Sequence, residues 1–412
     1  MELRAYGIPM AISARPRVGL PAAATTDTAP GTTAPRDLLF LIADTGGGHR
    51  ASAMAVAHCL ATGEAGLWSV HVLDPFADAS PAVVGRVVAL YSPLIRHAPW
   101  VWGALFRATN SRAAVAALRG TVLRLVEPGL DDVITALHPD AVVSFHPLLN
   151  HPAAHVLQRL PGASIPLITV ITDLVDVHAA WTYAGVDALV TGSPAALDAC
   201  RRAGMAPERC FDLGLPVDAR FLRHTPPARA QLRRRLGLGH DRFVVLLSGG
   251  GEGSGGLERR ATALLDANLD LQVAVICGRN ARLRRRLESL VADSRLVVAG
   301  FVDNMADWMG AADLVVTKAG PGAITEALSC ELPLLLTSYL PGQERGNVDL
   351  VVGLGAGRYV PGIRDLVGAV AELSAPGSPA LAAMRAALPH AARPHATAQI
   401  AGLVSRLARR RR

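Results

Sequence analysis

Short, unbroken apolar runs, each closed by a turn rich in glycine or polar residues, set the plan of this sequence. Asp37–Ala43 (DLLFLIA) runs into Asp44–His49 (DTGGGH) and then an amphipathic helix from Ala51 to Leu60. Arg242–Leu247 (RFVVLL) runs into Ser248–Gly256 (SGGGEGSGG) and then a helix from Leu257 to Ala267. A strand that is apolar on both faces cannot lie on a half-solvated sheet. It needs cover on both sides, which crossover helices supply when the strands are parallel. The rhythm recurs at Trp68–Leu73, Ala141–Phe145, Pro166–Ile171, Ala188–Val190 and Phe211–Leu213. It recurs again at Gln272–Ile276, Leu296–Ala299, Ala312–Val316 and Pro333–Thr337. Two halves, each opening with a strand and a glycine loop, predict an α/β chain of two Rossmann-like domains with a ligand site between them.

The chain's 412 residues suffice for two full cores. Half of them are hydrophobic, yet no apolar run reaches the roughly 18 residues of a membrane span. The net charge of +7 points to an anionic partner such as phosphate ligands or an anionic membrane surface. Aromatic residues make up only 4%, too few for the stacking platforms of single-stranded nucleic acid binding, so nucleic acid is not expected as a partner. Cys59, Cys200, Cys210, Cys277 and Cys330 lack CxxC spacing and read as reduced thiols of a cytoplasmic protein. Residues 1–36, rich in Ala, Pro and Thr, read as a disordered tail.

Thr317–Ala327 (TKAGPGAITEA) places Gly320 and Gly322 around Pro321 at a helix start. Free N–H groups and the helix dipole there favour an anion. Glu326, just inside the helix, suits sugar hydroxyls better than phosphate. Next to the first glycine turn, Gly48 permits close approach of a ligand and His49 sits at a helix N-terminus, where the dipole disfavours a charged imidazole. A neutral His facing a cleft can act as general base. His146, His151 and His178 lie on loops at strand C-terminal ends, the rim that lines an open α/β crevice. A metal reading of these histidines lacks close helical spacing with a carboxylate, so no metal is expected. Gly46-x-Gly48-x-x-Ala51 and Gly251-x-Gly253-x-x-Gly256 also fit a dinucleotide fingerprint, with Asp74 as the acid after the second strand, which keeps a nicotinamide or flavin oxidoreductase as a competitor. Pro81–Val126 threads Arg86, Arg96, Arg107, Arg112, Arg119 and Arg124 among Trp100, Trp102, Leu105 and Phe106, the composition of an interfacial membrane element.

Nine segments, in order, carry a resemblance to the monogalactosyldiacylglycerol synthases. They are DTGGGHRASA (44–53), VSFHPLLNH (143–151), ITDLVDVHAAW (171–181), GLPV (214–217), GGGEG (249–253), CGRN (277–280), GFVDNMADWMGAAD (300–313), TKAGPGAITEA (317–327) and PGQERGNV (341–348). The likeness runs from about Leu39 to about Val360. A more distant one is to the glycosyltransferase that makes lipid II. The resemblance implies a GT-B fold and inverting transfer of a hexose, galactose favoured over glucose, from a UDP-sugar to the 3-hydroxyl of 1,2-diacylglycerol. It implies no tightly bound cofactor, UDP-hexose being a co-substrate. It makes His49 the base; Gly249, Gly250, Gly251, Gly320 and Gly322 the diphosphate contacts; and Phe301 and Val302 the uracil contacts. Glu326 takes the ribose, and Gln343, Glu344 and Asn347 lie at the hexose. Gly48, His146, Asp173 and His178 lie on the acceptor side. His-Ala-Ala-Trp (178–181) replaces the family's His-Pro-Thr-Trp. A same-fold enzyme with another lipid-linked or soluble acceptor is the alternative. The expected division is 37–225 for acceptor and membrane docking, 226–385 for UDP-sugar, and 386–412 for a C-terminal helix and basic tail. A peripheral place on the cytoplasmic membrane face is expected.

Overall fold

The computed structural model describes residues 35–410, except 44–46, 65, 82–84, 87, 89, 161–163, 223–225 and 290–293, and leaves aside the side chains at 92, 96, 122, 226 and 227. Residues 1–34 of the expected N-terminal tail, Gly46 of the first glycine turn, and the side chain of Arg96 therefore lie outside what is described, while Arg36, expected in the tail, already opens the first strand.

Two six-stranded sheets form the framework, and every strand pairing in both is parallel. The first holds β1 (Arg36–Leu41), β2 (Trp68–Leu73), β3 (Ala141–Ser144), β4 (Leu167–Val170), β5 (Ala188–Thr191) and β6 (Cys210–Asp212), in the order β2-β1-β3-β4-β5-β6. The second holds β7 (Phe243–Ser248), β8 (Leu271–Ile276), β9 (Leu296–Ala299), β10 (Leu314–Thr317), β11 (Leu334–Leu336) and β12 (Gly357–Tyr359), in the order β12-β11-β10-β7-β8-β9. The strand order reverses between β1 and β3 in one sheet and between β7 and β10 in the other. Loops leaving the carboxyl ends of strands at such a point splay to opposite faces and open a crevice.

The apolar runs are strands because both their faces are covered. Leu38 and Phe40 pack one way from β1, against Val56 and Leu60 of the helix Gly48–Gly63. Leu39 and Leu41 pack the other way, against Leu130 and Ile134 of the helix Glu127–Leu137. Each such fully buried side chain contributes about 1.5–3 kcal/mol. Strand ends shift where side chains intervene. The run expected to start at Ala312 starts at Leu314, because the Ala312 amide still closes the helix Met305–Ala311. Asp313, in between, is held by Arg229 and Arg233, both at 2.6 Å. β12 was not expected: its three residues, Gly-Arg-Tyr, carry no apolar run.

The last helix, Ala396–Arg409, crosses back to the first sheet. Its stripe Ile400, Leu403, Val404 and Ala408 is buried in the same cluster as Leu38 and Phe40. Arg393 Nη2 binds Asp212 at 2.9 Å and Thr397 Oγ1 donates to the Val217 carbonyl at 2.7 Å. The C-terminal segment thus returns from the second half to pack on the first.

Candidate active site

At the first reversal point, β1 leads to His49 and its neighbour β3 leads to His146, so strand adjacency alone brings the two together. Gly47, at φ +86°, makes the left-handed turn that starts the helix Gly48–Gly63, and no acid sits in that helix's first turn. Gly48 itself is exposed, with open space on its Cβ side. The His49 and His146 rings meet edge to face, centroids 4.8 Å apart. His146 is buried, and burial with the nearby His49 ring pushes it well below the usual imidazole range, so it is neutral. Thr172 Oγ1 lies 2.8 Å from His49 Nδ1. Asp173, the next residue, accepts at Oδ2 from Trp181 Nε1 at 2.6 Å and at Oδ1 from Gln343 Nε2 at 2.9 Å. Burial pushes the Asp173 carboxyl up to about 6, against the lowering effect of those two bonds.

His178 has a different employment. Its Nδ1 accepts from the Ala180 amide at 3.1 Å, its Nε2 is 3.2 Å from Thr109 Oγ1, and its ring packs on Phe106. Burial pushes it down to about 4. It therefore seats the helix Pro99–Thr109 on the first half. His151 sits with Arg119 (2.7 Å) and the Tyr183 ring. Of the four histidines weighed for a metal, the ring contacts join His49 and His146 alone, among the described residues.

At the second reversal point, β7 leads to Gly249–Gly251 and β10 to Lys318–Gly320. The glycine loop folds onto the Cys277–Asn280 turn: the Arg279 amide donates to the Gly251 carbonyl at 2.8 Å. A Cβ on Gly249 would fall 2.1 Å from the Ser254 carbonyl oxygen, so no other residue fits without movement. Gly250, at φ +71°, lies against the Lys318 side chain. Gly320 caps the helix Pro321–Ser329, whose first position is a proline that lacks an N–H in any case. Gly322 has open space where a side chain would be. Two cations flank these glycines. Lys318 Nζ binds Glu344 at 2.8 Å, and Arg279 stacks over the exposed Phe301 ring at 4.9 Å. Neither was singled out from the sequence, although both lie inside quoted motifs: a lysine between a strand and a Gly-Pro-Gly turn is the available signal. Val302, beside Phe301, is half-buried on the second core.

Glu326 lies in the second turn of the helix Pro321–Ser329. Burial pushes its carboxyl up to about 7, and no described residue hydrogen-bonds to it. Such a group gains most from a ligand that brings hydroxyl donors. Glu344 is buried, with Oε2 taking the Leu340 amide at 2.8 Å. Asn347 is buried too; its Nδ2 donates to the Ala319 carbonyl at 2.9 Å and supports the turn before Gly320.

The two reversal points face each other. Gln343 and Asp173 join across the cleft, the Gly346 amide donates to Asp176 Oδ2 at 2.7 Å, and Trp102 Nε1 reaches Gln343 Oε1 at 3.3 Å. The arrangement puts a histidine on one wall. On the other wall stand helix N–H groups, a lysine and an uncommitted carboxyl. Asp74, the acid a dinucleotide ribose would need, is spent instead: Oδ1 caps its own short helix by accepting from the Phe76 and Ala77 amides at 3.1 and 3.4 Å.

Comparisons with known proteins agree with this geometry. A family model described as Monogalactosyldiacylglycerol (MGDG) synthase matches residues 49–217, and one described as Glycosyltransferase family 28 C-terminal domain matches residues 244–393. A probable monogalactosyldiacylglycerol synthase of Glycine max is 36% identical over 390 residues, covering 92% of this chain and 72% of that protein. Monogalactosyldiacylglycerol synthase 1 of Arabidopsis thaliana is 34% identical, with the same two coverages. Among solved structures, MurG of Acinetobacter baumannii superposes with a TM-score of 0.59 at 17% identity, covering 90% of this chain and all of that one. HepE of Anabaena, solved with UDP and glucose, gives 0.55 at 16% identity, covering 89% and 99%. At such identities the structures speak to the fold, which is GT-B. The match of both halves, and of relatives above 30% identity across most of their length, makes this chain a member of the monogalactosyldiacylglycerol synthase family.

Proposed function

We propose that this chain transfers galactose from UDP-galactose to the 3-hydroxyl of 1,2-diacylglycerol, with inversion, making a galactolipid. The observation that carries this reading is the pairing of His49 on one wall with Lys318, Gly320 and Glu326 on the other. The acceptor O3–H approaches His49. As the oxygen forms its bond to the sugar's anomeric carbon, the proton passes to His49 and the bond from that carbon to the β-phosphate oxygen breaks. The leaving UDP carries the electron pair as added negative charge. The Gly249–Gly251 backbone, Lys318 and the N-terminus of the helix Pro321–Ser329 are set to stabilise it. Glu326 holds the ribose, Phe301 and Val302 the uracil, and Gln343 and Glu344 the hexose.

The acceptor is a lipid, so the enzyme works at a bilayer. Trp100 is 72% exposed and Leu90 63%, on and before the helix Pro99–Thr109, with Leu105 and Arg107 nearby. No described helix is long and apolar enough to cross a membrane. We place the chain peripherally on an anionic, cytoplasmic membrane face, a reading that the exposed Trp100 and Leu105 support as residues for the headgroup boundary. Incubation with radiolabelled UDP-galactose or UDP-glucose and diacylglycerol vesicles tests the whole reading. Label in the chloroform phase, larger for galactose, is expected; label confined to water would overturn it.

A further inference from the structure

We infer that Thr172 is the positioning residue that sets the tautomer and aim of His49; this rests on the reading of His49 as the base. A histidine that removes a proton through one ring nitrogen needs the other to carry hydrogen. In many such bases a carboxylate enforces this by accepting that hydrogen. Here the group 2.8 Å from Nδ1 is the Thr172 hydroxyl. With Nε2 taking the proton of the acceptor hydroxyl, Nδ1 carries hydrogen and the Thr172 oxygen accepts it.

Thr172 is well placed to hold the ring still. It is buried, and it follows Ile171, whose amide is still bonded to the Val190 carbonyl of β5 at 3.0 Å. On its other side Asp173 is clamped by Trp181 and Gln343. Trp181, fully buried, also walls the His49 ring, centroids 6.3 Å apart, while His146 meets that ring from another side at 4.8 Å. One short segment, 172–181, thus supplies both the Nδ1 partner and part of the ring's wall. A hydroxyl differs from a carboxylate in what it leaves undone: it orients the imidazole without adding a negative charge beside it.

The test uses the full-length enzyme on diacylglycerol vesicles, with Thr172→Val, Thr172→Ser and His49→Ala. Thr172→Val keeps the shape and removes the hydroxyl. Its kcat is expected to fall about tenfold or more, part of what general base catalysis supplies. KM for UDP-galactose and the Kd for UDP should stay within about twofold, because no donor contact changes. Thr172→Ser should recover most of kcat. In ¹⁵N-histidine spectra, the His49 pair should report hydrogen on Nδ1 in the wild type and a tautomer mixture in Thr172→Val. An inactive His49→Ala with a Thr172→Val of near wild-type kcat and unchanged spectrum would overturn the role of Thr172 while leaving His49 as base. Loss of UDP binding in Thr172→Val, or no recovery in Thr172→Ser, would also overturn it. An active His49→Ala would instead overturn the reading on which it rests.

Discussion

Gln343, on the second half, donates from Nε2 to Oδ1 of Asp173 on the first half at 2.9 Å, and its Oε1 accepts from Trp102 Nε1 at 3.3 Å. Both ends of one amide are therefore fixed by the opposite wall of the cleft. An ionised Asp173 can accept from Gln343 and Trp181 together; once protonated it has one O–H to donate and loses one of them. Its carboxyl is pushed up to about 6 by burial, above its unfolded value. A raised pKa means that the proton stabilises the fold. The stability this group adds is full below about 4 and is lost as pH rises through about 6. Activity and stability should then part company. Asp173→Asn should unfold at the same or a higher temperature than wild type at pH 8. Its kcat/KM should be lower by about tenfold, the worth of one lost charge-assisted hydrogen bond. Calorimetry and initial rates at pH 8 check both; a lower unfolding temperature with full activity would contradict the argument.

Glu326 gives a second pH dependence, on binding. Its carboxyl, pushed up to about 7 by burial, is partly protonated near neutrality in the free enzyme. Ribose hydroxyls that donate to it favour the ionised form, so UDP binding should expel a proton. Affinity should rise with pH by up to about tenfold per unit below 7 and level off above it. Glu326→Gln should bind more weakly and show no such slope. Calorimetry of UDP binding in two buffers of different ionisation heat measures the proton directly; equal heats at pH 6.5 would rule the linkage out.

How far the sequence was legible follows from which interactions are local. The strands β3 and β4 fall within one residue of where their apolar runs predicted, because a buried parallel strand must be apolar on both faces. β12, with Gly357, Arg358 and Tyr359, has no such run and exists because β11 offers it a partner edge. The stripe Ile400, Leu403, Val404, Leu407 reads as an amphipathic helix, yet nothing local says that its partners are Leu38 and Phe40 at the other end of the chain. At the site, the glycines, His49 and Glu326 could be found by their turn and helix-start positions. Thr172 and the side-chain cations Lys318 and Arg279 could not be assigned partners, since those partners come from other loops. Asn347 shows the same limit: PGQERGN places it at a helix start, and nothing local says that its Nδ2 donates to the Ala319 carbonyl.

The helix Pro99–Thr109 touches the loop at Gln343, and its two tryptophans should behave differently. Trp100 is exposed, while Trp102 packs edge-on against Tyr91 at 4.8 Å and bonds Gln343. Trp100→Glu should weaken binding to anionic vesicles by about tenfold or more, about 1.4 kcal/mol of lost apolar burial, with kcat for a short-chain soluble diacylglycerol unchanged. Trp102→Phe keeps the aromatic packing and removes the Nε1 donor. It should raise KM for UDP-galactose several-fold while vesicle flotation stays at the wild-type level. Flotation and kinetics on the two variants separate the roles; reversed effects would refute the division.

The donor loops are locked by a backbone contact that one methyl group can break. Gly278 sits at φ +57°, and a Cβ there would come 2.4 Å from the Gly251 carbonyl oxygen. Gly255, in the same glycine loop, sits at φ +87° with nothing within 4 Å of its Cβ position. Alanine at either site carries the left-handed strain of about 1 kcal/mol. Only at 278 must backbone also move, and the atom that moves belongs to the Gly249–Gly251 loop, which we propose faces the diphosphate. Gly255→Ala should therefore lower thermal stability slightly and leave the Kd for UDP within about twofold. Gly278→Ala should cost at least about 2 kcal/mol of stability, strain and overpacking together, and weaken UDP binding at least about tenfold because Gly251 loses its position. Thermal denaturation and UDP titration of the two variants provide the comparison. Equal effects on UDP binding would mean that the lock between the loops does not shape the phosphate site.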